Sequence, residues 1–67
     1  MTDCDEVEPS VLDKWHLVYL GHLTQPKRGE CLQWLDQMPG GKYYWTLSFN
    51  VWFELEEDRL ITALTWK

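Results

Sequence analysis

Two histidines, two cysteines and eleven carboxylates are the side chains of this 67-residue chain best suited to chemistry. Their spacing assembles no reaction centre. His16 and His22 fall on different faces of a helix, and no Cys or carboxylate stands at ligand spacing from either; a zinc site needs such a cluster. Cys4 and Cys31 lack a C-x-x-C spacing and are too few for a disulfide framework. Cys31 falls on an apolar helical face, where a thiol behaves as a small hydrophobe. The acids gather in two groups, Asp3, Asp5, Glu6 and Glu8 near the start and Glu54, Glu56, Glu57 and Asp58 near the end. Paired carboxylates do acid–base work only inside a desolvated cleft that raises one pKa, whereas these sit in an expected tail and an expected turn. They read as solvated charge, or as groups that imitate phosphates or engage an arginine-rich surface. Lys27-Arg28 is the only basic pair. It precedes a helix, where a phosphate can bind, but no glycine-rich loop accompanies it, and Gly40-Gly41-Lys42 follows a helix rather than opening one. No catalytic, cofactor or metal constellation is expected, and the chain is read as non-enzymatic.

The element that must position everything else is Lys42 to Leu55, K-Y-Y-W-T-L-S-F-N-V-W-F-E-L. Trp45, Leu47, Phe49, Val51, Phe53 and Leu55 alternate with Tyr44, Thr46, Ser48, Asn50, Trp52 and Glu54, which predicts a long strand with one buried face. Arg59 to Lys67 is its expected antiparallel partner across a turn at Glu57-Asp58, pairing Leu55 with Leu60, Val51 with Leu64 and Phe49 with Trp66. A shift by one residue would bring apolar against polar rows. The turn lacks Asn-Gly or Asp-Gly, so a longer loop around Glu56 to Asp58 is the alternative. In this register Tyr44, Trp52, Ile61 and Ala63 share the second face of the sheet. The segment Tyr43 to Leu47 overruns its partner, so its backbone must find another: a bend near Ser48-Phe49-Asn50 that makes a third strand, an N-terminal strand, a second copy of the chain, or a foreign protein.

Before the strands, Met1 to Pro9 reads as an acidic flexible tail. Residues 10–67 form a single small domain, of a size that buries only about 60% of the surface its unfolded chain exposes. Val11 to Leu23 reads as a helix with Leu12, Trp15, Tyr19 and Leu23 on one stripe, or as a strand with Trp15, Leu17, Tyr19 and Leu23 inward. Gly21 costs the helix about 1 kcal/mol. Glu30 to Met38 reads as a second helix, stopped by Pro39-Gly40-Gly41. The expected fold class is α+β, two short helices packed on a C-terminal antiparallel β-hairpin or small sheet, with β-α-β-β as the alternative.

The acidic N-terminus is unlike a signal peptide, and no apolar run reaches the ~20 residues of a membrane span. A cytoplasmic protein without membrane contact is expected. A net charge of −5 opposes direct binding to nucleic acid, which needs Lys and Arg against phosphate, and suits a protein partner with a basic surface.

The run V-W-F-E-L-E-E-D-R-L-I at Val51 to Ile61 is similar to the strand-turn-strand run of the RelE/ParE toxin superfamily, small folds of two helices followed by antiparallel strands. The likeness spans Gly40 to Lys67, under half the chain. It implies a ribonuclease, although the family's basic residues on the preceding strands are here Ser48, Asn50 and Trp52, and no site residue carries over. The leading expectation is a small acidic protein-binding module, an inhibitor or adaptor that occupies a partner's surface, of a format that suits a phage or mobile-element inhibitor of a host complex. Its anchors would be Tyr44 and Trp52, since interface energy concentrates in such aromatic residues; Ile61 would join them in the partner-binding surface, and Glu54, Glu56, Glu57 and Asp58 would steer the approach. The rivals are a degenerate toxin-type ribonuclease and a structural homodimer paired through the edge Tyr43 to Leu47.

Overall fold

The computed structural model describes residues 1–66; Lys67, the last residue of the expected second strand, lies outside them. Among the described residues, three helices and four strands make a small α+β domain. In chain order they are β1 (Thr2–Asp3), α1 (Pro9–Leu12), β2 (His16–Tyr19), α2 (Lys27–Gln37), β3 (Lys42–Trp45), β4 (Asn50–Phe53) and α3 (Glu56–Thr65). The sheet has the order β1-β3-β4-β2, with β1 parallel to β3 and the other neighbours antiparallel.

The long alternating run is two strands joined by a tight turn. Trp45 pairs with Val51, the Thr46 N–H donates to the Asn50 carbonyl, and the Phe49 N–H donates to the Thr46 carbonyl. This is the bend near Ser48-Phe49-Asn50 that the surplus strand length allowed. Phe49 adopts a φ of 61°, a left-handed conformation that costs a side-chain-bearing residue about 1–2 kcal/mol. Burial offsets that cost: Phe49 is sealed in the core, edge-on to Trp45 at 6.0 Å, with the Arg28 guanidinium 5.4 Å from its ring centre. The apolar alternation hid this turn, because a core phenylalanine occupies the place where Gly or Asn is usual.

The expected hairpin between 42–55 and 59–67 is replaced, since Glu56 to Thr65 is helical. Glu56, Glu57 and Asp58 fill its first turn, where carboxylates oppose the partial positive charge of the helix start. The run Val51 to Ile61 is therefore strand then helix, and the strand-turn-strand likeness to the toxin family does not hold in the fold. Upstream, the helix expected over Val11 to Leu23 is confined to Pro9–Leu12, and His16–Tyr19 is a strand. Val18 is buried while Leu17 and Tyr19 are exposed, which is a period of two. The β-α-β-β alternative holds for its first strand and its helix, but its long strand is β3 and β4, and its last strand, expected from Arg59 onward, falls on α3. The helix expected at Glu30 to Met38 forms over Lys27–Gln37 and ends ahead of Pro39.

The core lies between α2, α3 and one face of the sheet. Cys31 and Leu35 come from α2, Tyr43, Val51, Phe53 and Val18 from the strands, and Leu20, Leu23 and Phe49 from the connections. Residues 1–4 lie along β3: the Thr2 N–H donates to the Gly41 carbonyl, the Cys4 N–H to the Tyr43 carbonyl, and the Met1 nitrogen to the carbonyls of Leu35 and Met38 at the end of α2.

Candidate partner-binding surfaces

Alternation along the strands sends Tyr44 and Trp52 to the face opposite Tyr43, Val51 and Phe53. They are directly paired in the β3–β4 register, with ring centres 5.8 Å apart and planes inclined by 43°. Leu17 extends this row onto β2 opposite Trp52, and Tyr19 lies in the next row opposite Asn50. Leu17 and Tyr19 are exposed, and Tyr44 and Trp52 are half-buried. The core helices α2 and α3 are both on the other side. Sequence alternation places Tyr44 and Trp52 on this face, but reads Leu17 and Tyr19 as part of a helix or as inward residues of a strand; in the structure the strand has the opposite phase, with Val18 inward and Leu17 and Tyr19 outward.

The edge of β2 belongs to the same surface. The Leu20 N–H donates to the Phe49 carbonyl, so His16, Val18 and Leu20 exchange bonds with β4, and Leu17 and Tyr19 direct theirs outward. The edge expected at Tyr43 to Leu47 is covered in part. β4 flanks β3 on one side and β1 covers Lys42 and Tyr43 on the other, so the pairing proposed there for a homodimer has no room over those residues.

Ile61 and Ala63 are not on the sheet. Ala63 packs inward against the core, and Ile61 is exposed on α3, on the side of the molecule away from Trp52. Among the acids, Glu54, Glu56 and Glu57 are exposed. Asp58 is 5% exposed, and its Oδ2 accepts a hydrogen bond from the Gly41 N–H at 2.9 Å. It holds the Pro39-Gly40-Gly41 turn against the start of α3 and is not available to steer a partner. Arg28 is likewise internal in its contacts: its Nε donates to the Leu23 carbonyl at 2.6 Å and an Nη to the Gly21 carbonyl at 3.3 Å. Lys27 makes an exposed 3.7 Å pair with Glu30, of a kind worth little.

An open cleft of about 310 Å³ separates α2 from the β1–β3 side of the sheet, lined by Asp3, Gly29, Leu32, Gln33, Asp36, Tyr43 and Trp45. Desolvation, then the neighbouring Asp5, holds the Asp3 carboxyl above its ordinary range, against a hydrogen bond from Trp45. Burial, then Asp3 and Asp36, pushes the Tyr43 phenol up to about 12. The walls are acidic and aromatic, and the phenol keeps its proton at neutral pH. Among the described residues no group of three or more His, Cys, Asp or Glu side chains is placed to hold a metal ion, and no helix is long and apolar enough to cross a membrane. No family model, curated protein or solved structure matches the chain.

Proposed function

We propose that the protein is a non-enzymatic protein-binding module of the cytoplasm, an inhibitor or adaptor that acts by occupying a partner's surface. The observation that carries this reading is the sheet face without a core helix, where Tyr44 and Trp52 stack across β3 and β4 beside exposed Leu17 and Tyr19. An aromatic patch with polar neighbours such as Asn50 is the composition of an interface centre. Outward-directed backbone groups on β2 add a place for an extended partner segment to pair. Glu54 and the net charge of −5 favour encounter with a basic surface.

The test is Trp52→Ala, compared with the parent chain as bait against native-host extract. The variant is expected to stay folded by circular dichroism while its specific partner is lost, an anchor truncation costing about 2 kcal/mol or more of binding. Unfolding of Trp52→Ala would make this face part of the core and end the assignment.

A further inference from the structure

α3 is turned inside out. Its inward side carries Asp58 and Thr62, at 5% and 0% exposure, while Leu60, Ile61 and Leu64 are 45%, 43% and 68% exposed. An amphipathic helix ordinarily does the reverse. The inward side is completed by Ala63 and Trp66, which pack on the core, and Thr62 satisfies its hydroxyl within the helix by donating to the Asp58 carbonyl at 2.8 Å. The outward side is continuous: Glu56, Leu60 and Leu64 are spaced by four, as are Glu57 and Ile61, so an exposed acidic pair sits one turn ahead of an exposed apolar patch.

We propose that this side of α3 is a second docking surface, and that its occupant is an amphipathic helix of another protein with Lys or Arg flanking its apolar stripe. Charge selects that occupant. Glu56 and Glu57, in the first turn of α3, border the patch, and a cationic flank on the incoming helix meets them, whereas a second copy of this chain would bring another net charge of −5 against the first. Geometry selects a helix over a strand. The backbone groups of α3 are engaged within the helix and cannot pair with an added strand, while the Leu60–Leu64 ridge can enter the groove of a facing helix. The surface is on the opposite side of the molecule from Trp52, so this proposal stands or falls independently of the sheet face, and together the two would let one chain bridge two proteins.

The experiment titrates the full chain with two synthetic helical peptides of identical leucine spacing, one flanked by Lys and one by Glu, followed by amide chemical shifts. The Lys peptide is expected to bind saturably with shifts centred on Leu60, Ile61 and Leu64, and to weaken as salt is raised. Ile61→Asp should lower its affinity roughly tenfold, Glu57→Lys should weaken it without touching the apolar patch, and Trp52→Ala should leave it unchanged. Binding that is equal for both peptides, absent for both, or centred away from α3 overturns the proposal. So does light scattering that shows the free chain to be a dimer dispersed by Leu64→Asp.

Discussion

Cys31 and Tyr43 are the side chains whose ionisation the fold opposes most. Burial lifts the Cys31 thiol from 9.0 to about 11, and burial with the nearby Asp3 and Asp36 lifts the Tyr43 phenol from 10.0 to about 12. Between each pair of values the unfolded chain has lost a proton that the native chain still holds, so stability falls as pH rises. The contribution of these groups is intact below about pH 9 and declines from there through about pH 12. The urea midpoint should therefore drop steadily in alkali, and Cys31→Ala should remove the earlier part of the drop while leaving the later part, which belongs to Tyr43. A midpoint that stays level to about pH 11 would mean that neither group is buried as described.

The junction of the Pro39-Gly40-Gly41 turn with α3 depends on one carboxylate. Asp58 accepts from the Gly41 N–H, and a methyl group on Gly40 would lie 2.7 Å from Asp58 Oδ1. Asp58→Ala removes the carboxylate acceptor from a partly buried donor and an acid from the first turn of α3, and should cost about 2 kcal/mol. Gly40→Ala should also destabilise, by forcing that carboxylate aside. The two effects are coupled through a single contact, so Gly40→Ala made in the Asp58→Ala background should cost little more. Denaturation of the four chains of this cycle measures the coupling, and strict additivity would show that the glycine is constrained by something other than Asp58.

For the molecule as a whole, strand order sets the order of opening. β4 is bonded on both sides, whereas β2 is an edge. Native-state hydrogen exchange should find Val51 and Phe53 among the slowest amides and Leu17 and Tyr19 among the fastest of the strands. If the outward amides of Leu17 and Tyr19 exchanged as slowly as Val51, the β2 edge would be covered and no partner strand could pair there. Of the ten aromatic residues, Tyr43, Phe49 and Phe53 are in the core and Trp34, Trp45 and Trp66 pack against it, whereas Trp15, Tyr19, Tyr44 and Trp52 stand outside the core cluster.

Local pattern determined the α+β class, the helix ahead of Pro39, and the opposite faces of Tyr44 and Val51, because each follows from the period of side chains along one segment. Period alone left Val11 to Leu23 open between helix and strand, and it read Arg59 to Lys67 as a strand where α3 forms. Short segments of this kind fit both periods, and what separates the two is which neighbour they bury against. Leu60, Ile61 and Leu64 read as a half-buried strand when paired with β4; once the turn at Phe49 folds β3 back onto β4 and β2 takes the other side of β4, no place beside β4 remains for them. The segment then coils over the core, and its geometry puts Thr62 inside and Ile61 outside. Only the tertiary structure decided this, because both the pairing of β4 and the exposure of α3 depend on residues more than thirty positions away in the chain, at His16 to Tyr19.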